Sequence, residues 1–214
     1  MDLSKTAVKI VKILDKTYPD APATYLNYKN PFEMLIVTIL SARATDAGVN
    51  KISPTLFKRY PTPERLAKAN LDEVSEIIRP CGAYNKKAGY ITGTSRLLVD
   101  RFDGKVPNTM KDLISFPGVS RKTANVVLSV VFGASEGIVV DTHIMRVTLR
   151  LGLSEHDNKP EKIERDLMEL LPIELWNDYA RLIGAHGRRT CKSRRPNCTE
   201  CALNKLCPSA VFDD

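Results

Sequence analysis

Two groups of residues have the types and spacing that chemistry needs. The first lies in FPGVSRKTANVVLSVVFGASEGIVVD, positions 116–141. Pro117 fixes one φ and Gly118 can take the φ > 0 of a sharp reversal, so positions 116–120 predict a tight turn. A short helix over 109–115 leads in. A longer one over 121–132 leads out, with Ser120 as its N-cap. The product is a helix–hairpin–helix whose loop amides and helix N-terminus point at one place, where an anion such as phosphate can bind. Lys122 falls in the first turn of the outgoing helix. The positive helix end disfavours an ammonium there, and partial burial would lower its pKa further. A lysine of that kind is a candidate amine nucleophile. Asp141 follows 19 positions later, opens Asp141-Thr142-His143, and would stay ionised at an N-cap. Taken alone, the pair reads equally well as an ordinary surface lysine and an ordinary cap.

The second group is cysteine. Of five cysteines, Cys81 stands alone, while Cys191, Cys198, Cys201 and Cys207 lie within the last 24 residues with the spacing C-x6-C-x2-C-x5-C. Four thiols so crowded in a cytoplasmic chain are metal ligands before they are disulfides. Pro196 and Pro208 stiffen the loops, and no histidine interrupts them. Four thiolates bind either Zn²⁺ or a [4Fe–4S] cluster, and ligand type alone does not choose. The spacing matches neither paired zinc knuckles nor the ferredoxin run. Between the first two ligands stand Lys192, Ser193, Arg194 and Arg195, preceded by Arg188 and Arg189. A basic loop clamped beside a metal suits phosphate contact; unclamped, the same run would be a solvated surface.

The rest of the chain must position these groups. Its 214 residues suffice for one large domain or two small ones. Hydrophobic residues make up 43% and charged residues 27%, as in an ordinary soluble globular protein. A net charge of +7 favours a polyanionic partner. No window approaches the roughly 18 consecutive apolar residues of a membrane span. The first twenty positions carry charges throughout and no cleavage site, so they predict an amphipathic helix over 4–16 and a cytoplasmic protein. Asn30-Pro31-Phe32-Glu33 is a strong helix start, followed by the apolar and hence buried MLIVTIL. Thr45 or Asp46 caps the next helix, which Pro54 interrupts before Tyr60. Short helices start at 62–64 and 70–73, Cys81-Gly82-Ala83 is a turn, and 85–102 is helical with Ala88, Ile91 and Leu98 inward. Beyond Asp141, helices are expected over 142–151, 160–171 and 174–187. The run 138–140 is too brief for a sheet, so the fold class is all-α.

Together FPGVSRKTANVVL, VVDTHIMR, HGRRTC and the cysteine tail resemble the endonuclease III family of helix-hairpin-helix DNA glycosylase/AP lyases. NPFEMLIVTILSARATD and GAYNKKA are similar to its other two signatures. The resemblance spans residues 5–208. It implies two α-helical lobes: a six-helix barrel with the hairpin over 23–134, and a discontinuous domain of 1–22 plus 135–214 holding a [4Fe–4S] cluster. It implies double-stranded DNA with damaged bases or abasic sites as partner, a monomeric enzyme, and a damaged nucleotide flipped out of the duplex. Lys122 stands at the family's nucleophile and Asp141 at its catalytic aspartate. Pro117, Gly118, Val119 and Ser120 would grip a backbone phosphate, aided by Lys192, Arg194 and Arg195. Asp46, Thr142 and His143 would border the lesion pocket. Cys191, Cys198, Cys201 and Cys207 would ligate the cluster, which is structural or DNA-sensing.

Three departures stand out. Ser120 replaces the hairpin's second glycine, at a cost of about 1 kcal/mol if that position needs φ > 0 and at no cost if it is an N-cap. Arg43 replaces an expected Gln, and Ala83 a larger apolar residue, at positions that would probe the hole left by the flipped nucleotide. Lysine at 122 favours the bifunctional mechanism over water-activating relatives, and the chain's end seven residues past Cys207 disfavours the mismatch adenine branch. Oxidised pyrimidines are the expected lesions. The alternatives are uracil or mismatched thymine as substrate, a non-catalytic hairpin DNA-binding module, and a zinc–cysteine structural protein.

Overall fold

Eight helices begin on an Asp, Asn, Ser or Thr whose side-chain oxygen accepts an amide of the helix's own first turn. The computed structural model, which describes residues 2–212, therefore has the helix starts that the sequence encodes. In chain order the helices are α1 Leu3–Thr17, α2 Pro31–Ser41, α3 Asp46–Arg59, α4 Pro63–Ala67, α5 Leu71–Ile78, α6 Tyr84–Phe102, α7 Met110–Leu113, α8 Arg121–Phe132, α9 Thr142–Arg150, α10 Pro160–Leu170 and α11 Trp176–Arg189. Short 3₁₀ turns occupy Arg79–Cys81 and Ile173–Leu175. No strand occurs among the described residues, and no described helix is long and apolar enough to cross a membrane.

Two compact units divide the chain. One comprises Thr24–Ala134; the other comprises the residues up to Ala23 together with those from Ser135 onward. In the first unit α2 is the axis of the core. Every residue from Phe32 to Leu40 is buried, and the helix packs against α3, α6 and α8. Nine buried positions in succession leave no polar face, the signature of a helix surrounded on all sides. Its start is doubly tied: Asn30 Oδ1 accepts the Glu33 amide at 2.9 Å, and Glu33 Oε2 accepts the Lys29 amide at 2.8 Å. Helix α3 runs through Pro54 to Arg59 without ending there, and Thr45, not Asp46, caps it.

The second unit is built on amphipathic α1, α9, α10 and α11. Their buried stripes meet in Ile10, Leu14, Ile144, Val147, Ile163, Leu167, Tyr179, Leu182 and Ile183. Tyr179 is fully buried, and its hydroxyl is satisfied by Thr148 Oγ1 at 2.8 Å. Residues beyond α11 form turns without a helix of their own. Leu203, fully buried, anchors them to this core.

Candidate active site and cysteine cluster

The hairpin is an all-local construction seated on α6. Helix α7 is a single turn, shorter than the expected 109–115. The Phe116 amide donates to Leu113 O, and the Val119 amide to Phe116 O, both at 3.2 Å. Gly118 takes φ +75, and a Cβ there would lie 2.7 Å from the Tyr90 ring of α6. Glycine is thus required twice, by the backbone and by the close approach. The Thr94 hydroxyl donates to Pro117 O at 3.1 Å, and Phe116 packs edge-on against Phe102 at 5.5 Å. Ser120 resolves its own ambiguity. Its φ is −83, and its Oγ accepts the Thr123 amide at 3.2 Å, so it is an N-cap and carries no left-handed strain.

Lys122 is the second residue of α8 and is exposed, which corrects the expected partial burial. The reason is helical phase. Ala124, Asn125, Val127 and Leu128 form the buried stripe, and position 122 falls outside it. Asp141 caps α9: its Oδ1 accepts the amides of His143 at 2.9 Å and Ile144 at 2.8 Å. Its Oδ2 lies 3.6 Å from Arg188 Nη2. Three donors thus face the carboxylate, two amides of α9 and the Arg188 guanidinium.

Arg43 and Ala83 are both exposed, and both are left-handed, with φ 54 and φ 46. Arg43 lies in the turn between α2 and α3, and Ala83 at the entry to α6. Asp46 is the first residue of α3. Thr142 and His143 open α9, and His143 Nδ1 lies 3.3 Å from Arg146 Nη2.

All four cysteines of the tail line one cavity, with Val147, Leu151, His186 and Leu203 among its other walls. Polar hydrogens are directed at their sulfurs. The Leu203 amide donates to Cys201 Sγ at 3.4 Å, and Arg150 Nη1 to Cys191 Sγ at 3.3 Å. His186 Nε2 lies 3.7 Å from Cys201 Sγ. Burial pushes His186 down to about 4, so its imidazole is neutral. Its Nδ1 lies 2.9 Å from the Tyr18 hydroxyl, which also reaches Thr190 Oγ1 at 2.7 Å. Burial and the neighbouring sulfurs raise the Cys201 and Cys207 thiols above the usual range. Among the described residues, no three ligands converge as on a single metal ion.

The basic loop is pinned. Arg150 Nη1 donates to Lys192 O at 2.8 Å and Nη2 to Ser193 O at 3.1 Å, while Lys192, Arg194 and Arg195 are exposed. Arg188 and Arg189, which precede this loop, lie within α11, which runs two residues past the expected end at 187. They complete α11, and Arg189 forks onto Asp20 at 2.7 and 3.0 Å and lies over the Tyr18 ring.

Comparison with known proteins places this geometry. Residues 36–173 match the HhH-GPD superfamily of base excision DNA repair proteins. Endonuclease III of Synechocystis sp. is 47% identical over 204 residues, covering 95% of this chain and 92% of the relative. The chain belongs to the endonuclease III family. A solved non-covalent endonuclease III–DNA complex superimposes with a TM-score of 0.89 at 39% identity, covering 97% of this chain and 96% of the other. A trapped endonuclease III–DNA covalent intermediate, the estranged-adenine complex, gives the same values. As an endonuclease III family member, the chain is a base excision repair enzyme, a DNA glycosylase with AP lyase activity.

Sequence reasoning missed several residues of this family member's site. Arg146, inside the quoted VVDTHIMR, donates from Nη2 to Gly187 O at 2.7 Å and to Cys191 O at 3.0 Å, tying α9 to the first cysteine. Arg150, His186 and Tyr18 brace the cysteine loop. Lys87, inside GAYNKKA, is buried. Lys87, Arg146 and His186 stand inside the quoted motifs, whereas Tyr18 and Arg150 lie outside them; in either case a polar residue's burial depends on partners far away in sequence.

Proposed function

We propose that this glycosylase/AP lyase removes oxidised pyrimidines from double-stranded DNA, with Lys122 as nucleophile and Asp141 as the carboxylate that stabilises positive charge. One observation carries the reading: an exposed lysine stands two residues past a phosphate-type hairpin, on the helix that the hairpin starts. The neutral Lys122 amine attacks C1′, the C1′–N bond breaks, and the base leaves with the electron pair. The sugar ring opens to a Schiff base. Loss of a C2′ proton then expels the 3′ phosphate by β-elimination. Asp141 offers a fixed negative charge to the oxocarbenium-like state, and its two amide bonds hold the carboxylate in place. Because Lys122 is exposed in the free protein, its desolvation falls to the bound DNA. The covalent intermediate trapped for a relative supports this chemistry.

The hairpin residues Pro117–Ser120 and the exposed Lys192, Arg194 and Arg195 supply phosphate contacts, while Arg43 and Ala83 enter the duplex. Asp46, Thr142 and His143 border the extruded base. The four cysteines hold a [4Fe–4S] cluster. The four sulfurs line one cavity, and N–H groups are directed at two of them, Cys191 and Cys201, a donor set that would suit a [4Fe–4S] cluster. The cluster supplies structure to the C-terminal loop and no bond-breaking step. The test is borohydride trapping on an abasic duplex: wild type forms a covalent adduct, and Lys122→Gln binds the duplex but forms none. An adduct that persists in the variant reassigns the nucleophile. No scission by wild type leaves the chain a binding module. A panel of duplexes bearing thymine glycol, uracil or mismatched thymine ranks the substrates.

A further inference from the structure

Lys87 is 5% exposed, in the first turn of α6. That is a poor place for an ammonium. Burial lowers its pKa, and the positive end of α6 opposes it. An apolar residue of similar volume would meet neither cost. What the lysine gains is a pair of carbonyls from two different elements, α2 and the 3₁₀ turn before α6. Its Nζ donates to Leu40 O at 2.8 Å and to Cys81 O at 2.7 Å. Leu40 is in the last turn of α2, where carbonyls lack helical partners and the helix end attracts a cation. Cys81 ends the 3₁₀ turn before α6.

Each carbonyl stands at the root of a strained turn. Three residues after Leu40 comes Arg43, and two after Cys81 comes Ala83, both exposed and left-handed without being glycine. Backbone strain of this kind persists only where the surroundings over-determine it. A single buried ammonium bonded to both roots does so. We propose that Lys87 is a positioning residue that locks the 41–45 and 82–83 turns in one register, so that Arg43 and Ala83 enter the duplex together as a nucleotide is extruded. The proposal rests on the reading of those two residues as duplex-entering groups.

The test compares two substrates under single-turnover conditions: a duplex with one thymine glycol and a duplex with a preformed abasic site. The first requires a paired base to be extruded, and the second has no base to extrude. Enzyme concentration is set by borohydride trapping on the abasic duplex. Lys87→Met should lower excision at least ten-fold relative to abasic cleavage and reduce the fluorescence of a 2-aminopurine placed beside the lesion. Equal losses on both duplexes, or no loss on either, would overturn the proposal, since a general structural defect moves both. Should Lys87→Met yield no trappable enzyme, the same ratio is read on Lys87→Arg, which keeps the cation but changes its reach. Arg43→Ala separates the two claims. An unchanged ratio there removes the duplex-entry reading, whereas a ratio that falls in Arg43→Ala but not in the Lys87 variants overturns the role of Lys87 alone.

Discussion

At Asp141 and Arg43 the proposed chemical role and the observed conformational one fall on a single residue, and a well-chosen substitution separates them. Asn caps helices about as well as Asp, so Asp141→Asn keeps both amide bonds of α9 and removes only the charge. The contact with Arg188, in which both side chains are more than a quarter exposed, contributes at most about 1 kcal/mol. Asp141→Asn should therefore cost at least a hundred-fold in single-turnover rate, while DNA affinity holds or tightens and the melting temperature moves by a few degrees at most. Matched losses of rate and affinity would leave Asp141 a cap and nothing more. At Arg43, φ +54 costs a non-glycine residue roughly 1–2 kcal/mol. Glycine removes that strain but adds about 0.5–1 kcal/mol of unfolded-state freedom, so Arg43→Gly should change stability little. Its effect should fall on selectivity. The exposed guanidinium can donate two bonds to O6 and N7 of guanine. Wild type should therefore excise one lesion fastest opposite guanine, and Arg43→Gly should act alike opposite all four bases. A uniform loss opposite every base would make Arg43 a backbone contact.

At the scale of elements, the hairpin and the basic loop, in the proposed function, would bind the same kind of ligand by different means. The hairpin depends on backbone shape. Gly118→Ala would force φ +75 on a residue with a Cβ and drive that Cβ into the Tyr90 ring. Because Gly118 itself is exposed in the α7–α8 hairpin, the expected stability loss is about 1–3 kcal/mol, with DNA binding weakened on lesion-bearing and plain duplex alike. Band-shift titration with both duplexes checks it, and a loss confined to lesion-bearing DNA would move the hairpin into the lesion pocket. The basic loop depends on charge. Arg194 and Arg195 are exposed on a segment pinned by Arg150. Replacing both with Ala should make the slope of log K against log salt shallower by about 0.9 per lost phosphate contact. An unchanged slope would place both arginines away from DNA.

For the whole molecule, the two units differ in what holds them. The unit of Thr24–Ala134 closes around α2 with its own apolar core. The other has at its end turns fastened by Leu203 and by sulfur-directed bonds and, in the proposed function, by the group that the four cysteines would ligate. Metal-binding free energy is folding free energy for such a loop. Removing iron with a chelator, or substituting Cys198→Ser, should abolish the visible absorption that zinc would not give. It should also speed amide exchange in α9 and α11 while leaving α2 protected. Exchange followed by mass spectrometry measures this, and equal acceleration in both units would mean that the ligated loop supports the molecule as a whole.

Local physics made much of this protein legible in its sequence. Ser, Thr, Asn and Asp before apolar periodicity placed the helix starts, Pro117-Gly118 placed the hairpin, and the crowding of four cysteines near the end of the chain marked the thiols that line one cavity. Each of these rests on residues a few positions apart, where propensity and capping decide. Tertiary structure alone decided what depends on distant partners. Lys87 is buried because Leu40, 47 positions away, offers it a carbonyl. His186 is neutral and oriented because burial strips its solvent and Tyr18, 168 positions away, meets its Nδ1. Arg189, at the end of α11, turns to Asp20, 169 positions away. The exposure of Lys122 follows from which stripe of α8 the core selects. Helical periodicity names the candidate stripes, and only packing chooses among them.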